Sequence, residues 1–319
     1  MVNGHLDRSE IRRKINQFGD LKSNENRPYH LDSALIRFKT RHGLAANNEI
    51  DSATIAWLNE PFSNKISTII TNMERWRWLP ENLGSSYLKV NMADFRLELI
   101  NEGRSEFSSA VIIGTPYHST PAFSADLIQI ILNPYWYVPK SIVENEILLT
   151  KDPISYMKTH HMEALNNSNE VVELDSSNWN LEKTDVFPYT IRQKPGPYNA
   201  LGLIKFVMPN SYSVYIHDTP DRQLFNERYR LFSHGCIRVQ EPFKLAALLL
   251  QDQSEWDLDS MLTIAKENQL PKTIDLPAPV PVHVFYWTAW IDQWQQVNFR
   301  KDVYLRDQTL LAAIQSSPK

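Results

Sequence analysis

Cysteine is almost absent, with Cys236 the single one in 319 residues. That excludes any intramolecular disulfide and any multi-cysteine zinc cage. Long apolar runs are missing as well. The longest, residues 245–250 and 284–291 with Thr288 interrupting the second, fall far short of the roughly 18–20 residues that cross a bilayer. No transmembrane segment is expected. Residues 1–8 have no apolar signal-peptide core, so the sequence carries no export address of its own. Taken alone, that implies a cytoplasmic chain or one whose leader has been removed. Charge of one sign does not accumulate either: 33 Lys and Arg are interleaved with 37 Asp and Glu, for a net charge of −4. Without a basic block to track a phosphate backbone, nucleic acid is not an expected partner.

What is present is the composition of a folded protein, 42% hydrophobic and 22% charged, with a length that suits about two domains. Three amphipathic helices are expected within residues 9–60. Ile11, Ile15 and Phe18 fall at helical spacing, as do Leu31, Ala34, Leu35, Phe38 and His42 before Gly43, and Asp51 stands as N-cap of a third helix over about 52–58. A further helix from about Pro61 carries Ile66, Ile69, Ile70, Met73 and Trp76 on one face until Pro80 stops it, and reads as a stiff connector. From Tyr87 the period changes to two. Strands are expected over 87–100 with a hairpin at Ala93-Asp94, and then at 109–113, 127–132, 203–207, 213–217 and 283–289, with one later helix at about 242–250 opened by Pro242. Residues 140–190 interrupt the strand series with polar sequence and helical turns around 142–149 and 154–165. They are bounded by Pro- and aromatic-rich hinges and read as a capping insertion. The resulting division is a helical domain at 1–60, a connector at 61–82 and a β-rich domain at 83–319, α+β in class.

A lone cysteine is either a small buried hydrophobe or a nucleophile. A nucleophilic thiol needs an imidazole or positive charge nearby, because at its ordinary pKa of about 8.5 it is mostly protonated near neutrality. His217, at the strand end expected within Tyr215-Ile216-His217-Asp218-Thr219-Pro220, is such a partner, nineteen positions before Cys236. Ser233-His234-Gly235 precede the nucleophile directly. The glycine lets a substrate carbonyl approach, and backbone N–H groups of such a turn commonly form an oxyanion hole. Arg238 is read as holding a substrate carboxylate, orienting the loop, or forming an ordinary ion pair. Zinc on His217, His234 and Cys236 is disfavoured, because His-X-Cys sets two ligands very close and no fourth ligand stands out. No metal or cofactor is expected.

His217-Asp218-Thr219-Pro220 and Ser233-His234-Gly235-Cys236-Ile237-Arg238-Val239, with 15 residues between His217 and Ser233, resemble the signature of the bacterial cell-wall L,D-transpeptidases. The resemblance continues through Trp76-Arg77-Trp78-Leu79-Pro80, Asn133-Pro134-Tyr135-Trp136, Pro195-Gly196-Pro197-Tyr198-Asn199-Ala200-Leu201-Gly202 and Asn298-Phe299-Arg300-Lys301-Asp302-Val303-Tyr304, which are similar to the large, YcbB-like subgroup. Phe38-Lys39-Thr40-Arg41-His42-Gly43-Leu44 and its helices resemble a peptidoglycan-binding domain. The resemblance implies a β-rich catalytic sandwich with a YkuD-type domain. It implies a Cys236 acyl-enzyme formed from a donor tetrapeptide stem with release of D-alanine, and transfer to the diaminopimelate amine of a second stem as a 3→3 cross-link. His217 would be the base, His234 and Gly235 part of the catalytic turn, and Tyr215, Trp136, Ser233 and Arg238 would contact substrate. Either a backbone carbonyl or Asp218 would orient His217. Periplasmic location, a part in cell-wall construction and cell shape, and covalent inhibition by carbapenems are implied with it. Two rival readings are the same acyl-enzyme resolved by water, a D-amino acid or a lipoprotein lysine, and a non-catalytic cell-wall binding protein. The presence of both His217 and Cys236 argues against the last, since binding requires neither.

Overall fold

Ile11 and Ile15, then Leu31, Ala34, Leu35 and Phe38, then Leu58 meet in one apolar core in the computed structural model, which describes residues 7–22, 27, 30–175, 187–267 and 270–316. They belong to α1 (Arg8–Gln17), α2 (His30–Arg41) and α3 (Ser52–Asn59). Asp7 caps α1 by accepting from the Glu10 N–H at 2.7 Å. Asp51 caps α3 in the same way, accepting from the Thr54 N–H at 2.7 Å, as its position in the sequence implies. The chain forms two units: residues 1–83, 91–94 and 285–319 in one, and residues 84–90 and 95–284 in the other. Residues 285–319 thus pack with the helices and contribute a hairpin, Ala289–Ile291 with Val297–Phe299, and a helix, Arg306–Ser316.

The fourth helix, α4 (Phe62–Arg77), is turned the other way from its sequence pattern. Ile66, Ile70, Met73 and Trp76 are exposed, whereas Lys65, Thr71, Asn72 and Arg75 are buried. A stripe of apolar residues ordinarily faces the core, but here the polar face finds partners that cancel its desolvation cost. The Lys65 ammonium lies 4.6 Å from the Trp57 ring centroid, 4.7 Å from that of Phe299 and 5.0 Å from that of Phe18, and pairs with Glu60 at 3.2 Å. Asn72 donates to the Thr288 hydroxyl at 2.7 Å, and Arg75 pairs with Asp307 at 2.6 Å.

In the second unit the strands are β1 (Ser86–Asn91), β2 (Arg96–Asn101), β3 (Arg104–Gly114) and β4 (Phe123–Leu132). A one-turn 3-10 segment, Met92–Asp94, separates the first two at the expected hairpin. After β5 (Trp136–Tyr137) the insertion begins with α5 (Lys140–Ile142), which widens into a π-helical turn at Val143–Ile147, followed by α6 (Pro153–Thr159). The helix expected to run to 165 stops at 159, since His161 takes a positive φ of 54° and the chain re-enters as β6 (Met162–Leu165). β7 (Val171–Val172) and β8 (Thr190–Gln193) complete a small sheet in the order β5-β8-β6-β7. The sheet covers an apolar core of its own, with Val143, Ile147, Met157 and Ile191. Residues 176–186 of the insertion lie outside the described residues.

The chain then returns through β9 (Ile204–Val207), β10 (Ile216–His217), β11 (Leu231–Ser233) and β12 (Ile237–Val239), two helices, α7 (Pro242–Leu249) and α8 (Leu258–Glu267), and β13 (Lys272–Phe285). The large sheet has the order β11-β3-β12-β10-β9-β4-β13-β1-β2, and β2 also pairs with β3, so the sheet closes on itself. β13 begins eleven positions before the expected strand at 283. It absorbs Pro277 and Pro279 in a bulge between Asp275 and Val280, where no ladder N–H is required.

The Arg75–Asp307 pair yields a stability prediction for the helical unit. Replacing Arg75 by Met leaves a buried carboxylate without its cation and is expected to cost about 3–5 kcal/mol in urea unfolding. Adding Asp307→Leu to the same protein should restore most of that loss. A double variant destabilised by the sum of the Arg75→Met and Asp307→Leu losses would show that the two charges act independently.

Candidate active site

Strand pleat decides which side chains share a face. Lys205 of β9 opposes His217 of β10, which opposes Arg238 of β12; Phe206, Ile216 and Ile237 oppose one another in the same three strands. Successive residues point to opposite sides of a sheet. Phe206, Ile216 and Ile237, all fully buried, go to the core, which sends Lys205, His217 and Arg238 to the other face. Tyr215 and Cys236, each two residues earlier, extend that second set. The Ile237 N–H donates to the Tyr215 carbonyl at 3.0 Å, and the Tyr215 and His217 rings meet edge to face at 5.5 Å.

His217 is buried, and its Nδ1 lies 2.5 Å from the Asp218 carbonyl oxygen. A carbonyl only accepts, so Nδ1 carries the proton and Nε2 is the basic nitrogen. The backbone of Asp218 therefore orients the ring, which settles the choice between carbonyl and carboxylate. The Asp218 carboxylate turns elsewhere, accepting from the Leu203 N–H at 3.0 Å and from Arg222 at 2.9 Å. Gly202, at φ +62°, makes room for it; a Cβ there would run into the carboxylate. That contact fixes the 201–203 turn, whose Leu201 carbonyl also faces the imidazole. Burial first, then the Arg238 guanidinium and the Lys205 ammonium, push the His217 pKa down to about 3 against the two carbonyls. At neutral pH the imidazole is uncharged.

Cys236 is half-buried. Burial pushes its thiol above the ordinary value, opposed by hydrogen bonds from the Tyr215 backbone N–H and hydroxyl and by the charges of Lys205 and Arg238. The Tyr215 hydroxyl in turn accepts from the Trp136 indole N–H, so Trp136, Tyr215 and Sγ form one chain of donors. Sγ also lies 3.9 Å from the Ser213 carbonyl; among the described residues it makes no hydrogen bond to the His217 ring. In place of a thiol lowered by an imidazole, the site holds a thiol raised by burial on the same sheet face as an uncharged imidazole.

The turn before the nucleophile is held from inside. Ser233, buried, accepts from the Gly235 N–H at 3.2 Å and donates to the Cys236 carbonyl at 2.5 Å. Its hydroxyl is therefore committed to the loop, which corrects its expected part in substrate contact. Gly235 sits at φ +115°, where a side chain would be strained, and its carbonyl accepts from the Thr120 hydroxyl at 2.8 Å. Because its N–H is taken by Ser233, it is not the free oxyanion donor that the sequence leads one to expect. His234 is exposed, with Nε2 2.8 Å from the Glu146 carboxylate of the insertion and its ring 5.0 Å from that of His118. Its catalytic role is not supported by this placement. Arg238 pairs with Asp221 at 3.0 Å, the ordinary ion pair among its possible roles.

The structure therefore gathers Cys236, His217, Tyr215, Trp136 and Arg238, and directs Ser233, Gly235 and His234 to the architecture of the turn. Lys205, Thr120 and Glu146 are the contributors that sequence reasoning misses. Only Lys205 leaves a trace, as the polar position in the alternating run Ile204-Lys205-Phe206-Val207.

The profile of the YkuD family, the L,D-transpeptidase catalytic domain, matches residues 85–280. A Haemophilus influenzae protein assigned by name to the L,D-transpeptidases is 34% identical over 253 residues, 78% of this chain and 50% of that protein. The chain spans about half the length of this curated relative. L,D-transpeptidase 3 from Mycobacterium tuberculosis aligns at 12% identity over 63% of this chain and 61% of its own, with a TM-score of 0.30. The catalytic domain of the E. faecium L,D-transpeptidase aligns at 15% identity over 65% of this chain and 100% of its own, with a TM-score of 0.27. At those scores the structural alignments carry no weight, and the assignment rests on the profile and the Haemophilus relative. On that basis the chain belongs to the YkuD family of L,D-transpeptidase catalytic domains.

Proposed function

We propose that this chain is a cysteine-dependent peptidoglycan L,D-transpeptidase that forms 3→3 cross-links through an acyl-enzyme on Cys236. The observation that supports this reading most directly is the convergence on one Sγ of the Tyr215 N–H and hydroxyl and of two cationic side chains, on the same sheet face as an uncharged imidazole. Sγ attacks the carbonyl that joins diaminopimelate to the terminal D-alanine of a donor stem, and its proton passes to His217 Nε2. The imidazole gains basicity as negative charge develops beside it, which is what a group held at low resting pKa requires. The oxyanion takes its hydrogen bond from the Cys236 amide, the next in the turn after the committed Gly235 N–H. The C–N bond then breaks, D-alanine leaves with the proton held by His217, and a thioester remains. The diaminopimelate amine of a second stem attacks that thioester, gives its proton to His217, and the thiol is re-formed. No metal or organic cofactor takes part.

Trp136 and Tyr215 serve as pocket wall and donor chain, and Arg238 orients the loop. The insertion at 140–190 caps the site through Glu146 and His234. The helical residues 1–60 hold peptidoglycan, the chain is akin to the YcbB-like subgroup, and it works in the periplasm. A carbapenem would acylate Cys236 by the same attack on a carbonyl.

Intact-protein mass spectrometry is the direct test. Wild type should gain a carbapenem adduct and convert disaccharide-tetrapeptide to a cross-linked dimer, and Cys236→Ala should do neither. Adduct without dimer would transfer the function to hydrolysis or another acceptor; a well-folded wild type with no adduct would refute the nucleophile. His217→Ala is expected to lower turnover by about 10²–10⁴-fold, the usual contribution of a positioned acid–base group. Because the folded thiol titrates above its ordinary value, iodoacetamide labelling should be slow at pH 7 and still rising with pH beyond about 8.5; a plateau below neutrality would contradict a protonated resting thiol. Glu146→Ala should change KM for the tetrapeptide and leave Cys236 labelling as in wild type, whereas parallel loss of labelling would place His234 in thiol activation.

A further inference from the structure

Lys205 is a second positive charge at the site, and nothing in the nucleophile motifs points to it. It lies on β9 directly opposite His217, on the sheet face shared with Arg238. Its Nζ stands 4.0 Å from the centroid of the Tyr215 ring, the residue whose hydroxyl and N–H donate to Sγ.

The two cations differ in their company. Arg238 is matched by Asp221 at 3.0 Å. Lys205 is half-buried and has neither a carboxylate nor a hydrogen-bond acceptor among the described residues; it lies over an aromatic face and its charge interacts with that of Cys236. An ammonium partly withdrawn from water without a counter-ion is unfavourable, and a ring face offsets only part of that cost. With Cys236 protonated the site carries one unmatched positive charge. With Cys236 ionised it is balanced.

We propose that Lys205 is the counter-ion of the Cys236 thiolate, held over the Tyr215 ring so that its charge stabilises Sγ as the proton leaves. In the mechanism above, the S–H bond breaks, its proton moves to His217, and the negative charge left on sulfur lies in the field of Lys205. The same field opposes protonation of His217, so the charge favours a thiolate without favouring a resting imidazolium. The directions of titration agree with this assignment: burial lowers Lys205, and the Cys236 charge raises it back. The inference rests on Cys236 being the nucleophile.

The test compares iodoacetamide labelling of Cys236 against pH in wild type, Lys205→Met and Lys205→Arg, with no peptide substrate present. One pKa unit is the scale taken for the loss of a single opposite charge, so Lys205→Met should label about tenfold more slowly at pH 7, with its profile displaced upward. Lys205→Arg should restore most of the rate. An unchanged profile in Lys205→Met would overturn the proposal; if that variant also raised KM for the tetrapeptide, the charge would serve a substrate carboxylate instead. Should the neutral variants fail to fold, the reciprocal coupling is read in wild type. Capping Cys236 as its methyl disulfide should lower the Lys205 pKa followed by NMR of the side-chain εCH₂, and an unmoved titration would overturn the proposal equally. Carbapenem acylation of wild type is measured in parallel. Wild type that labels in a Lys205-dependent way yet does not acylate would refute the transpeptidase reading alone; acylation with no Lys205 dependence would refute this inference alone.

Discussion

The parallel pairing of Ile216–His217 with Ile237–Arg238 is the constraint from which the rest of the site follows. Neighbouring parallel strands need a crossover, and the one here, residues 218–236, supplies both the Asp218 carbonyl that orients the imidazole and the turn that carries the thiol. The same pairing commits Ile216 and Ile237 to the core, and a register slip of one residue would bury the charged side chains and expose the isoleucines. Apolar burial behind the sheet thus fixes the reactive groups in front of it. The loops above need only hold their local geometry.

That local geometry is built largely from backbone. Ser233, Thr120 and Gly202 each serve to hold a main-chain turn, and none of them faces the reacting atoms. The side chains left free to act are few, and their charges oppose one another's ionisation. His217 is kept neutral by burial first and by two cations after it, while burial raises the Cys236 thiol against those same cations. In the proposed mechanism such an arrangement favours proton transfer when the substrate carbonyl is in place over a permanent ion pair.

How much of this is legible in the sequence depends on the kind of signal. Tyr215 and Trp136 can be read only through the family resemblance of contiguous motifs, and the pairing of His217 with Cys236 through their spacing, since a lone cysteine by itself is as readily a buried hydrophobe. Asp51 can be read because capping is a local matter. Lys205 and Glu146 cannot, since each reaches the site through a pairing with a distant segment, and one polar residue in a strand is ordinary. For His234 and Ser233 adjacency misleads: neighbours of a nucleophile alternate in direction, and these two turn outward and inward. For α4 periodicity misleads, because it reports which face is apolar, whereas burial is decided by the partners waiting for Lys65, Asn72 and Arg75. α8 has Met261 and Ala265 at a spacing of four, a helical signal that the expectation of one late helix passes over.

The protonated resting thiol has a consequence for chemical durability. Peroxide and related oxidants attack sulfur as the anion, and a sulfenic acid without a nearby second thiol has no internal route back. These 319 residues hold one cysteine and so offer Cys236 no resolving thiol of their own. If Cys236 is the nucleophile proposed above, the burial that raises its thiol also favours the less oxidisable protonated sulfur between substrates.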